Sequence, residues 1–393
     1  MDPLAAVLNL KSAEKAGRGL EHTPHEIAQQ PATWEATFTQ LEPQLGELRK
    51  FLGDAGVGGS RVEKLTVFLV GAGSSDYVGR SLDLLLRNRW QCEVIPVAST
   101  SLLTDFPDYL VPQRRSLWIS FSRSGDSPEG VAVLERALAE APQVAHLLVT
   151  CNGSGRMKQA IEGRDHCRAI VLDDATNDRG LAMTSSFTNM VLAGQMVAHA
   201  WSIEEYTPVL RSLIRAGKRL LPGAAQLASD LAGQGFSKTC FVGSGVLTGT
   251  AMECALKLLE LTAGTVLTFS QSTLGLRHGP MAALDANTLF VSLVSSQKQR
   301  RQYEIDLLRE VGRKHLARTR VAVAIEEEGL HEVADHVLTP ETGDAVPDLY
   351  RPVLDVMFGQ LLGLFASLHV GLKPDTPSPG GAISRVVPRI GIY

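Results

Sequence analysis

Leu65-Thr-Val-Phe-Leu-Val70 runs straight into Gly71-Ala-Gly73-Ser74-Ser75, and Thr239-Cys-Phe-Val242 runs into Gly243-Ser-Gly245. Each is a short apolar run, rich in β-formers and without alternation, that ends in a glycine turn and a helical pattern. Runs of this kind suit strands buried on both faces, as in a parallel sheet. Around the first, residues 93–97, 117–121, 146–150 and 169–172 also read as strands. Helices are predicted from the first turn to Arg89, over 127–139 and over 184–200. A helical connector at 204–231, with a kink expected at Pro222, is followed by the same pattern again. Residues 289–294 copy 117–121, and 320–324 copy the strand at His146. The predicted fold class is α/β, with two tandem domains, each a doubly wound parallel sheet flanked by helices.

The chain's 393 residues are enough for two such cores. The expected boundaries are an N-terminal helical extension at 1–52, a first domain at 53–203, a connector at 204–235, a second domain at 236–372 and a tail at 373–393. In the extension, Thr23-Pro24-His25-Glu26 is a capping-box pattern with proline early in the helix. Pro31 should interrupt that helix, a second should follow at 32–51, and residues 53–60 should form a break. A net charge of −4 argues against a nucleic-acid partner. Five widely spaced cysteines without a CxxC pair predict reduced thiols and no metal site. The apolar stretch 353–370 is broken by Asp355, Gln360 and His369 and reads as a buried helix, so no membrane is expected. The N-terminus has no signal-peptide core, and the expectation is a cytoplasmic protein.

Two stretches carry chemistry. Ser122-Arg123-Ser124-Gly125-Asp126-Ser127-Pro128-Glu129 lies between a strand and a helix. Its three hydroxyls, its glycine and the free N–H groups of the helix start suit a phosphate monoester, whereas an ordinary N-cap needs one serine. Gly71-Ala-Gly73 is a weak dinucleotide signal, because Asp76 stands where a third glycine would be. The second stretch is Glu253-x3-Lys257-x2-Glu260, which puts three charges on one helical face, followed by Arg277-His278-Gly279-Pro280. A solvated ion-pair face is the bland reading. A carboxylate and an imidazole brought together can instead divide the work of base and acid.

The serine loop, after the turn Gly73-Ser74-Ser75, resembles the phosphosugar-binding loop of sugar isomerase (SIS) domains. The duplication resembles the tandem SIS pair in the isomerase half of glucosamine-6-phosphate synthase. That resemblance implies Glu260 as the catalytic base and His278 as the group that opens the sugar ring, donated by a neighbouring subunit. Two departures stand out. No glutaminase domain precedes the pair, so glutamine-dependent synthesis is not expected. Lys373 is a poor match for the synthase's tail lysine, which puts a Schiff base in doubt.

Arg179-Gly-Leu-Ala-Met183-Thr-Ser-Ser186, Leu258-Leu-Glu260-Leu-Thr-Ala-Gly264, Arg277-His-Gly-Pro280 and the tail around Arg385-Val-Val387 are similar to the galactosamine-6-phosphate deaminase/isomerase family. Its members are often named tagatose-6-phosphate ketose/aldose isomerases. The resemblance runs from about residue 23 to the C-terminus. It implies a 6-phosphosugar substrate, no cofactor and a homodimer or higher homo-oligomer. Ser74, Ser75, Ser122, Arg123, Ser124, Ser127 and Thr184 are the expected substrate and phosphate residues, with Glu253, Lys257 and Arg385 in support. The rival readings are plain aldose–ketose isomerisation and a non-catalytic sugar-phosphate sensor. A sensor would keep the serine loop but would not need Glu260 and His278 together.

Overall fold

The computed structural model describes residues 2–59, 62–110, 114–340, 346–388 and 390–393. Strands β1 (Leu65–Gly71), β2 (Glu93–Ala98), β3 (Arg115–Ser122), β4 (Ala145–Thr150) and β5 (Cys167–Val171) form one sheet in the order β2-β1-β3-β4-β5. Strands β6 (Lys238–Gly243), β7 (Leu267–Ser272), β8 (Thr288–Leu293), β9 (Thr319–Val323) and β10 (His336–Leu338) form the other, in the order β10-β9-β8-β6-β7. Every described pairing is parallel. Add five to each number in the first order and read it backwards, and the second order results. The duplication expected from the glycine turns is therefore a duplication of topology.

The glycines have a steric reason. Gly73 and Gly245 hold φ of 56° and 61°, in the left-handed region. A Cβ on Gly71 would lie 2.3 Å from the Ser75 backbone, and one on Gly243 would lie 2.4 Å from the Leu247 carbonyl oxygen. Both turns therefore seat a helix start hard against a strand end.

Edge strands are where the structure adds to the sequence reading. β7 and β10 carry no continuous apolar run. β7 is mostly polar and mostly half-exposed, and β10 has three residues. A strand with one neighbour needs less apolar sequence than a central one, so its periodicity is faint.

The chain groups into two compact units, and not in strict sequence order. The β6–β10 unit contains Met1–Pro31, Asp178–Thr184 and Val209–Ala382, and the β1–β5 unit contains Ala32–Asn177, Ser185–Pro208 and Ile383–Tyr393. Polar bonds within the β6–β10 unit account for its remote pieces. Asp375 accepts from the backbone N–H groups of Glu21, His22 and Thr23 at 2.7–3.1 Å, and the Gln30 amide donates to Gln360 at 2.7 Å.

Several local expectations are corrected. A helix does start at Thr23 (Thr23–Ala28), but the capping box does not form. Thr23 Oγ1 donates to Asp375 at 2.8 Å, and the Glu26 carboxylate accepts from the N–H groups of Arg179 and Gly180. Gly53 is helical, inside Leu45–Ala55, and the chain turns only at left-handed Gly56; Ser60 lies outside the described residues. The helix after β1 stops at Arg80, and a second spans Asp83–Trp90. Helix Ile203–Gln234 is continuous through Pro222.

Helix Pro352–His369 is long and apolar enough to cross a membrane, yet 89% of it is buried in the structure. It packs against helix Val246–Leu261. A Cβ on Gly359 would lie 2.5 Å from Cys254 Sγ, and one on Gly363 would lie 3.1 Å from the Lys257 carbonyl oxygen. Two glycines one helical turn apart thus bring the backbones together over the charged residues.

Candidate functional site

In the β1–β5 unit, Ser122 ends β3 and the residues that follow lead into helix Pro128–Glu140. The loop is built on its own hydroxyls. Ser122 Oγ accepts from the Gly125 N–H at 3.0 Å, and Ser124 Oγ accepts from the Asp126 N–H at 3.2 Å. A hydroxyl that accepts a backbone proton keeps its own O–H to donate, which is what an acceptor-only oxyanion requires. Ser127 is the N-cap of the helix and makes no side-chain capping bond. A Cβ at Gly130 would lie 2.6 Å from Ser127 Oγ, so glycine there leaves room for the hydroxyl. Gly125 is left-handed at φ 66°. Ser74 and Ser75 are buried in the first turn of helix Ser74–Arg80.

Arg123, expected among the phosphate residues, also has a structural partner. It is 6% exposed and its guanidinium donates to the carbonyl of Arg385, whose own guanidinium donates to Asn177 Oδ1 at 2.7 Å. Arg123 and Arg385 tie the tail to the loop. Sequence reasoning missed Asn152, which donates to the Ser124 carbonyl at 2.7 Å, and Thr150, which accepts from the Asn152 N–H at 3.2 Å. The available signal was Asn152-Gly153 directly after a strand, a turn pair that positions a neighbouring backbone.

In the β6–β10 unit, helix Val246–Leu261 carries the charged trio. The solvated-face reading fails, because Glu253 and Lys257 are each 0% exposed. Lys257 Nζ lies 3.3 Å from Glu253 and 2.5 Å from Glu260. Burial alone would push the Lys257 ammonium down, but the two carboxylates outweigh it and hold its pKa above the ordinary value. Glu260 is only partly buried, with its side chain 23% exposed. One carboxylate is thus sealed in, and the other is held by the same lysine with a face to solvent. That arrangement gives a fixed, accessible base at a helix end.

His278 follows the short helix Gly275–Arg277 and is exposed. The turn is anchored by its neighbour, since Arg277 Nε pairs with Glu310 at 2.6 Å. Glu310 also pairs with Lys314, and hydrogen bonds from Lys314 and Arg277 hold its pKa below the ordinary range. Thr184 is fully buried. Its N–H and hydroxyl both donate to Asp178, at 2.7 and 3.0 Å.

No protein-family model matches this chain. A D-galactosamine-6-phosphate deaminase, AgaS, of Escherichia coli is 35% identical over 372 residues, covering 94% of this chain and 95% of that protein. The chain belongs to the D-galactosamine-6-phosphate deaminase AgaS family. An AgaS from Shewanella sp. (strain ANA-3) is 30% identical over 398 residues, covering 98% of this chain and 95% of its own. The solved tagatose-6-phosphate ketose/aldose isomerase of Escherichia coli matches with a TM-score of 0.82 at 34% identity, over 92% of this chain and 95% of that one. These AgaS relatives match 94% and 98% of the chain, so membership does not rest on one half of the duplication.

Proposed function

We propose that this member of the AgaS family is an enzyme that converts galactosamine 6-phosphate to tagatose 6-phosphate and ammonia by proton transfer. The observation that carries the reading is the partly exposed Glu260 held by a buried lysine. Phosphate recognition falls to the hydroxyls of Ser122, Ser124 and Ser127 with Ser74 and Ser75, and proton transfer falls to His278 and Glu260. His278 moves a proton between the ring oxygen and the anomeric hydroxyl, which opens the sugar to its aldehyde. Glu260 takes the proton on C2. The C2–H electrons form the C1=C2 bond, and the carbonyl oxygen is protonated to give an enolamine. A proton returns to C1, where the C1=C2 pair forms the new C1–H bond, while the nitrogen lone pair forms C2=N and an N–H proton is lost, leaving a ketimine. Water adds to C2, the C2–N bond breaks, and ammonia leaves with the ketose phosphate.

Each step needs a proton donor or acceptor and no redox partner. Lys257 acts by holding Glu260. His278 is read as serving a neighbouring subunit's substrate in a homodimer or larger homo-oligomer, a reading its exposure supports. The reading is of a cytoplasmic enzyme without nucleic-acid or membrane partners.

The test is a panel of 6-phosphosugars assayed for ammonia and for ketose. The expected result is ammonia and tagatose 6-phosphate from galactosamine 6-phosphate, with no glutamine added. Interconversion of galactose 6-phosphate and tagatose 6-phosphate, with no ammonia from any amino sugar phosphate, would replace the deaminase by a plain isomerase.

A further inference from the structure

β8 holds the place in its sheet that β3 holds in the other, and the residues after it lead into helix Lys298–Arg313. This second loop, Val294-Ser295-Ser296-Gln297, also offers hydroxyls and backbone N–H groups at a helix start. Here the two hydroxyls and the N–H groups of Ser295 and Ser296 are spent on carboxylates of the same unit, while Ser295 Oγ accepts from the Gln297 N–H at 3.0 Å. Ser295 Oγ donates to Asp348, while Ser296 donates both its N–H and its Oγ to Asp348 Oδ1 at 2.9 Å. The Ser295 N–H donates to Glu304 at 2.7 Å. Arg351, fully buried, lies 3.2 Å from Asp348 and is held by the Val294 carbonyl at 2.6 Å and by Asp355 at 2.7 Å. Arg300 comes within 3.7 Å of the same carboxylate. Asp348 is 3% exposed. Burial alone would raise its pKa, but Arg351 and the serine donors outweigh it and keep the group ionised.

We infer that the Val294–Gln297 loop is an oxyanion receptor permanently occupied by the chain's own Asp348 carboxylate, so that this loop binds no phosphate of a phosphosugar. Two hydroxyls, a backbone N–H and two guanidinium groups converge on one carboxylate, an acceptor-only anion like a phosphate monoester. A ligand tethered in the chain is present at high effective concentration, so free phosphate does not displace it. The corollary, one phosphosugar per chain, rests on the serine-loop reading of the β1–β5 unit.

The experiment removes the plug. Asp348→Gly with Glu304→Gln is placed in a Ser124→Ala/Ser127→Ala background, titrated with inorganic phosphate, and read by Tm and by crystallography. The expected result is a phosphate-dependent rise in Tm, with phosphate bound between Ser295, Ser296 and Arg351, and no such rise while Asp348 is intact. A folded Asp348→Gly protein whose Tm ignores phosphate and whose loop stays empty would overturn the inference.

A second measurement needs no change at Asp348. Binding of a 6-phosphosugar is counted in the wild type and in Ser124→Ala/Ser127→Ala, and the expected counts are one and none. Any binding that survives in the double variant and is abolished by Ser295→Ala/Ser296→Ala overturns the inference. Survival that those changes leave untouched instead overturns the serine-loop reading.

Discussion

The loops that close β3 and β8 are built from the same parts and differ in where their hydroxyl protons go. After β3, the hydroxyls of Ser122 and Ser124 accept from their own backbone and keep their protons to donate. After β8, Ser295 Oγ likewise accepts from the Gln297 N–H, but the hydroxyls of Ser295 and Ser296 donate to Asp348. Duplication supplies two receptors, and an anion brought by the chain itself decides which one stays open. The β6–β10 unit repeats this habit elsewhere. Asp375 takes three successive N–H groups at residues 21–23, and Glu26 takes those of Arg179 and Gly180. Donors satisfied internally hold structure, and donors left open hold ligand.

Four experiments press on this contrast. The largest expected effect is at Glu260, the proposed base. Glu260→Gln should lower turnover by about 10²–10⁴-fold, measured as ammonia release, with Tm unchanged because the amide still reaches Lys257. A large fall in Tm would make Glu260 an internal anion like Asp348 and would erase the contrast between holding and acting carboxylates.

Next is Lys257→Met. It leaves Glu253 buried beside an apolar chain and should cost about 3–5 kcal/mol of stability, read by urea unfolding, together with loss of turnover. Loss of turnover at full stability would mean that Glu253 is not ionised in the fold.

The two serine pairs come third. Ser124→Ala/Ser127→Ala should weaken 6-phosphosugar binding by roughly 1.5–3 kcal/mol for each bond to the charged group and leave unfolding unchanged. Ser295→Ala/Ser296→Ala should do the reverse, lowering Tm with little change in binding. Calorimetry and thermal unfolding of both proteins decide it, and like behaviour of the two pairs would break the comparison.

The smallest effect is one of pH. Burial first, then Asp178, lift the Glu26 carboxyl from the ordinary 4.5 to about 7, while the N–H groups of Arg179 and Gly180 and the charge of Asp375 act more weakly, the N–H groups downward and Asp375 upward. Because the folded pKa is the higher one, the protonated group's contribution is full below about 4.5 and is lost as pH rises through about 7. Glu26→Gln, neutral at every pH, should therefore gain stability relative to wild type between pH 5 and 8. A constant difference across that window would show that Glu26 is ionised throughout, as Asp348 is.

The apolar runs of β1, β3, β4, β6, β8 and β9 announced both sheets, because a central parallel strand must be apolar on both faces. The paired glycine turns announced the duplication, because close seating of a helix on a strand end excludes any Cβ. Spacing alone also put Glu253, Lys257 and Glu260 on one face. These are local facts, set within a few residues. Whether that face meets water was decided about a hundred positions away, by Gly359 and Gly363 drawing a second helix over it. The state of the β8 loop and of the Thr23 helix start was likewise decided at a distance. Asp348 lies 53 residues beyond Ser295, and Asp375 lies 352 beyond Thr23. Sequence spacing shows which donors exist, because hydroxyls and N–H groups belong to their own residues. Which acceptor reaches them is settled only when folding brings distant carboxylates out of water, where an unpaired charge costs more than any local preference can offset.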